Sequence, residues 1–86
     1  MRTQLPDDRL DTLRSHLEAL AKDAMVEIQL EAQAEGIHLK ERHGRAANGY
    51  YFAASALLNS QGILHNEFID RPEWKAMRAI SRRYNS

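Results

Sequence analysis

From Asp7 to about Glu35, Leu10, Leu13, Leu17, Leu20 and Ala24 recur at alternating steps of three and four, and Ile28 and Ala32 extend the stripe at steps of four. An α-helix turns once every 3.6 residues, so such positions share one face. Between them lie Arg9, Asp11, Arg14, Glu18, Lys22, Asp23, Glu27 and Glu31, the charged set expected of a solvated outer face. The stretch therefore predicts a long amphipathic helix around which the rest of the chain must pack. Asp7 is expected to cap its N-terminus, and Asp8 and Asp11 to set negative charge beside the positive end of the helix dipole. Residues 1–6 read as a short lead-in, with Pro6 before or in the first turn. Such a helix would span roughly 43 Å, whereas a compact chain of 86 residues has a diameter of only about 31 Å. It must kink, protrude or pack against another chain.

Gly36 is the first stop signal, and a break or kink is expected there. The other course is a helix that tolerates Gly36 and runs on to His43, with Gly44 as terminator. The next element is expected over roughly Ala46 to Asn59. Ala47, Tyr50, Tyr51, Ala54, Leu57 and Leu58 make one face of it, while Phe52, Ala53 and Ala56 fall on the other side. A helix apolar nearly all round belongs in a bundle centre or at an interface. Ile63 to Ile69 is ambiguous, with Leu64 and Phe68 spaced for one or two helical turns. Asp70-Arg71-Pro72-Glu73 then reads as a helix start, with Asp70 as N-cap and Glu73 three positions on. The last helix runs to about Tyr84. Trp74, Met77, Ile80 and Tyr84 line its apolar face, and Arg71, Lys75, Arg78 and Arg82 line another. No alternating strand pattern occurs. The fold class is all-α: a small bundle of three main helices, with a short fourth segment over Ile63–Ile69, in one domain covering residues 1–86.

Charge adds an asymmetry. The chain holds 12 basic and 12 acidic residues, but residues 1–35 carry four basic and eight acidic side chains, and residues 36–86 carry eight basic and four acidic. The plainer explanation is complementarity within the chain or across a dimer; the sharper is a basic patch for an acidic partner. There is no cysteine, so neither disulfides nor thiolate–metal sites are available, as suits a reducing compartment. No secretory signal and no apolar run of about 20 residues is seen, which points to a cytoplasmic protein that does not span a membrane.

The sequence offers little catalytic chemistry. Glu35 and His38 form one Glu-x-x-His pair, the spacing used in di-iron helical bundles, but such sites need two pairs and further glutamates. His38 and His43 are five apart and cannot share a helical face. Ser60, His65 and Glu67 are close in sequence, which does not make a triad. There is no Gly-rich phosphate loop, and the glycines Gly36, Gly44, Gly49 and Gly62 are scattered. No catalytic residue, cofactor or metal is expected. The candidate contact residues are the basic set Arg71, Lys75, Arg78, Arg82 and Arg83 and the aromatic run Tyr50, Tyr51 and Phe52. Tyr, Trp and Arg are the side chains that anchor interfaces. The stripe could also track phosphates, although solvation of a helix face accounts for it more simply.

The run Gly36-Ile37-His38-Leu39-Lys40-Glu41-Arg42 resembles the Gly-Val-Ala-Phe-Lys-Glu-Arg region of the theta subunit family of bacterial DNA polymerase III. Pro72-Glu73 is similar to a Pro-Glu pair there, although the two stretches lie farther apart here. The resemblance implies a three-helix accessory protein that binds and stabilises a proofreading exonuclease. Taken with the residues, the expected function is a small protein-binding accessory or inhibitor protein, of the kind a phage or plasmid uses to modulate a host protein. The alternatives are a nucleic-acid-binding regulator using the basic last helix and, less favoured, a theta-like polymerase subunit. A homodimer is expected through the seam Leu10, Leu13, Leu17, Leu20 and Ala24, which repeats like coiled-coil a and d positions.

Overall fold

The computed structural model describes residues 6–84, about 90% of them helical, so only short joints separate the elements. The order is α1 (Asp7–Gln33), α2 (Ile37–Ser60), α3 (Gly62–Phe68) and α4 (Pro72–Tyr84). Among the described residues there is no strand, and the all-α bundle is the observed class. Most of the lead-in, residues 1–5, lies outside the described residues.

Length and the first joint set the shape. α1 has 27 residues, about 40 Å of helix, and the body measures 47 × 23 × 18 Å. The mismatch between helix length and a compact sphere is resolved by elongation: α2, with 24 residues, runs back beside α1 for most of its length. Gly36 makes the reversal. Its φ of 93° lies in the left-handed region that costs a side-chain-bearing residue strain, and its carbonyl accepts the amide of Lys40 at 3.2 Å to start α2.

The second helix differs from expectation. It begins at Ile37, nine residues before Ala46, and Gly44 lies buried in its interior rather than ending a helix. Nothing in Ile37–His43 breaks a helix once Gly36 has turned the chain. Gly44 is needed for proximity: a β-carbon there would overlap Cε2 and Cζ of Tyr84 and fall 2.6 Å from its hydroxyl oxygen.

The third and fourth helices close the bundle. α3 packs Leu64 and Phe68 under the opening turns of α1, and α4 then runs alongside α1, starting at Glu18 (Arg71, 3.4 Å) and ending at Glu31 (Arg83, 2.9 Å). Trp74, Met77 and Ile80 are buried as their spacing predicts. Tyr51 stacks on Trp74 at 4.8 Å, and Phe68 meets Trp74 edge-on at 5.8 Å.

Two caps differ from the sequence reading. Asp7 is the first helical residue of α1, and Pro6 occupies the cap position without a side-chain hydrogen bond; its carbonyl accepts the amides of Arg9 and Leu10, both at 3.0 Å. At α4, Pro72 is the first helical residue, and the carbonyl of Arg71 accepts the Lys75 amide at 3.2 Å. Arg71 therefore holds the cap position, one residue later than expected.

The leucine seam faces inward. Leu10, Leu17 and Ala24 are buried in the core, with Leu13 and Leu20 packed against it. Burying a leucine contributes roughly 1.5–3 kcal/mol, so the seam is what holds α1 to α2, α3 and α4 of the same chain. Glu31 follows Ala24 by seven residues and is buried too, 2% exposed, not on the solvated face where its charge alone would put it.

Candidate functional site

Part of the charge asymmetry of the sequence is met within the molecule, where Glu18, Glu27 and Glu31 of α1 meet basic side chains from beyond it. Arg14 grips Glu67 of α3 with two hydrogen bonds, Nε to Oε2 at 2.7 Å and Nη2 to Oε1 at 2.8 Å, and reaches Asp11 at 2.6 Å. That bidentate contact holds the Glu67 carboxyl below its usual pKa and raises the Arg14 guanidinium. His43 Nδ1 lies 2.6 Å from Glu27. Glu31 receives Arg83 at 2.9 Å and Lys40 at 3.4 Å, and the Tyr84 hydroxyl stands 3.5 Å from it and 3.3 Å from the Lys40 carbonyl oxygen. A buried carboxylate needs such partners, because an unpaired charge out of water is very costly. Acidic α1 is thus tied to cations drawn from the rest of the chain.

This pairing sorts the basic candidates into two groups. Arg71 turns to Glu18 and stands over the Phe68 ring at 5.2 Å, and Arg83 joins Glu31. Lys75, Arg78 and Arg82 remain exposed on one flank of α4, and Arg78 of that set lies with Tyr51 and Ser55 of α2. The aromatic run is sorted too. Tyr50 and Tyr51 are partly buried against the core, whereas Phe52 is 48% exposed and meets Tyr51 edge-on at 6.0 Å.

A cleft of about 270 Å³ opens beside that flank, lined by Tyr51, Ser55, Asn59, His65, Trp74 and Arg78 with Leu58 and Ile69 beneath. A wider groove of about 630 Å³ runs along the second half of α1, with Ala21, Met25, Val26, Ile28 and Ala32 as apolar lining and Glu18, Lys22, Arg71 and Glu73 among its polar groups. This groove continues into an apolar corner. Of the seven large hydrophobic side chains exposed among the described residues, Met25, Val26 and Leu30 lie in the last third of α1 and Ile37 and Leu39 in the first turn of α2, with Val26 at 51% and Ile37 at 62%. The sequence reading missed this corner because it assigned the apolar positions of α1 to a single seam. The signal was there in Met25-Val26 and Leu30, which sit off that seam.

The other candidates are not brought together. Glu35 lies in the turn and His38 in the first turn of α2, so their spacing is not helical. Among the described residues no group of three or more His, Cys, Asp or Glu is placed to hold a metal. Ser60 donates to the Leu57 carbonyl at 2.7 Å, and Glu67 is held by Arg14. No described helix is long and apolar enough to cross a membrane. Comparison with protein-family models, curated proteins and solved structures yields no match.

Proposed function

We propose that this chain is a non-enzymatic accessory or inhibitor protein that works by binding another protein, and that the α1–α2 corner is its contact surface. The observation that carries the reading is the gathering of Met25, Val26, Leu30, Ile37 and Leu39 on one end of a chain whose other large apolar residues are mostly internal. Exposed apolar side chains concentrated at one end of a small protein favour a contact site more than the same residues scattered singly would. The groove beside Met25 adds depth to the corner, and depth is where interface anchors gain most from leaving water. The resemblance of Gly36–Arg42 to the theta subunit favours the same class, since that stretch supplies Ile37 and Leu39 to the corner.

The test is paired capture. Wild-type protein and a Val26→Lys/Ile37→Lys variant are immobilised and offered the same host extract. A partner held in stoichiometric amount by the wild type and lost by the equally folded variant supports the reading; one retained by both refutes it. A second copy of the chain on this corner is a special case, since the chain carries no net charge to keep copies apart. The alternative function is a nucleic-acid-binding regulator, favoured by the exposure of Lys75, Arg78 and Arg82. With three phosphate contacts its affinity would fall with log salt at a slope of about −2 to −3.

A further inference from the structure

We infer that the cleft between α2, α3 and α4 is a binding site for an acidic peptide segment, held by Arg78, Lys75 and Arg82. This goes beyond the apolar corner and uses a different face with different chemistry. Four observations carry it. The cleft is a real concavity of about 270 Å³, with Arg78 in its wall and His65 and Ser55 as further polar groups. None of its lining residues is acidic, although acidic and basic residues are equally abundant in the chain. Arg71 and Arg83 pair with Glu18 and Glu31 of α1, while Lys75 and Arg82 are exposed and share one helical face with Arg78. The floor is apolar, from Leu58 and Ile69.

Spacing and chemistry select a peptide. Arg78 and Arg82 are four residues apart on a helix, an axial separation of roughly 6 Å. Side chains on one side of an extended peptide recur at about 6.7 Å, so alternate acidic residues can meet successive cations. Guanidinium groups take carboxylates in a bidentate fork, and the aliphatic floor can pack against the methylene groups of the acidic side chains themselves. Nucleic acid fits less well. Single strands are held by bases stacking on open aromatic faces, but Trp74 is stacked on Tyr51 and closed on another side by Phe68. Three cations on a chain of zero net charge also make a weak phosphate track.

Trp74 is the chain's one tryptophan and lines the cleft, so its emission reports on occupancy. The experiment titrates an acetylated, amidated hexaglutamate peptide into the intact protein, read by Trp74 fluorescence and in parallel by calorimetry. The expected result is saturable binding, weakened roughly tenfold by Arg78→Gln, as loss of one charge-assisted pair implies. Lys75→Gln should act in the same direction, and Arg42→Gln, on exposed α2 surface, should change nothing. Far-UV circular dichroism checks that each variant is folded. No saturable binding by either readout, or equal binding by wild type, Arg78→Gln and Lys75→Gln, overturns the proposal. Tighter binding of an eight-nucleotide oligothymidine than of hexaglutamate also overturns it and assigns the face to nucleic acid. Because the corner residues take no part, the Val26→Lys/Ile37→Lys variant should bind hexaglutamate as the wild type does, so this result and that of the capture experiment stand separately.

Discussion

The ring of Tyr84, in the last turn of α4, occupies the space that a β-carbon at Gly44 of α2 would need. A glycine in mid-helix costs about 1 kcal/mol relative to alanine, and here that cost allows the end of α4 to lie against α2. Gly44→Ala should therefore lower stability: overpacking of about 1–3 kcal/mol outweighs the gain in helix propensity. In a Tyr84→Ala background the same substitution should raise stability by about 1 kcal/mol. Urea denaturation of the four proteins measures this reversal of sign; if Gly44→Ala acts alike in both backgrounds, the ring contact is not what requires the glycine.

Glu31 supplies a second coupling at the same end. Lys40 and Arg83 are both partly exposed, 43% and 57% by side chain, while Glu31 is 2% exposed. Removing either cation leaves the other on the carboxylate, so Lys40→Ala and Arg83→Ala should each cost about 1 kcal/mol. Removing both leaves the buried carboxylate with only the long contact from the Tyr84 hydroxyl at 3.5 Å, and that cost approaches the roughly 3–5 kcal/mol of a broken buried pair. A double-mutant cycle reads the excess directly. Simple additivity would mean that Glu31 gains access to water when its partners leave.

The pairing of Glu67 with Arg14 predicts how stability responds to acid. The carboxyl of Glu67 is held below its ordinary value of 4.5 by the two hydrogen bonds from Arg14. A group whose pKa is lower when folded stabilises the fold above its unfolded pKa and loses that contribution as pH falls through the folded one. Stability should thus decline on acidification below about pH 4.5, and Arg14→Gln should flatten that part of the curve. The pair is substantially exposed, so raised salt should weaken it. An unchanged profile in Arg14→Gln would count against the contact.

What the sequence made legible was set by periodicity. Leu10, Leu17 and Ala24 on α1 and Trp74, Met77 and Ile80 on α4 are where their spacing put them, because burial of one helical stripe dominates the packing of both. Ile37–His43 was not read as part of the second helix, because its polar residues show no clean stripe and Gly44 looked like a terminator. Glycine is ambiguous in sequence: the same residue serves a left-handed turn at Gly36 and a close helix contact at Gly44, and only the neighbour tells them apart. Glu31 was misplaced because charge was weighed above position. It continues the seven-residue step Leu10, Leu17, Ala24, which in retrospect marks it as internal. The cleft drew residues from α2, α3 and α4, a juxtaposition no local pattern encodes.

Asp70 offers a small, clean check on the start of α4. Its acidic side chain resembles an N-cap, yet α4 opens at Pro72 and the Arg71 carbonyl accepts the first helical amide, from Lys75, so Arg71 takes that position. Asp70→Ala should change stability by no more than about 0.5 kcal/mol, as at an ordinary surface site. A loss of 1 kcal/mol or more, in the range of a true cap, would move the helix start back by one residue.

The state of association turns on which face of α1 is available. The seam Leu10, Leu13, Leu17, Leu20 and Ala24 is internal to the chain, so Leu17→Glu should unfold the protomer: it places an unpaired charge in the core and removes a leucine worth about 2–5 kcal/mol. A dimer built on that seam would instead dissociate into folded monomers on the same substitution. If copies associate through α1, the contact comes from side chains off that seam, where Met25, Val26 and Leu30 are exposed, and Val26→Lys should abolish it without harming the fold. Light scattering with circular dichroism on the three proteins distinguishes these cases. A mass of 9.9 kDa at all concentrations for the wild type leaves the corner for a different protein. Twice that mass, lost in Val26→Lys while helicity is retained, assigns the corner to a second copy. Folded monomers from Leu17→Glu would contradict the packing of α1 itself.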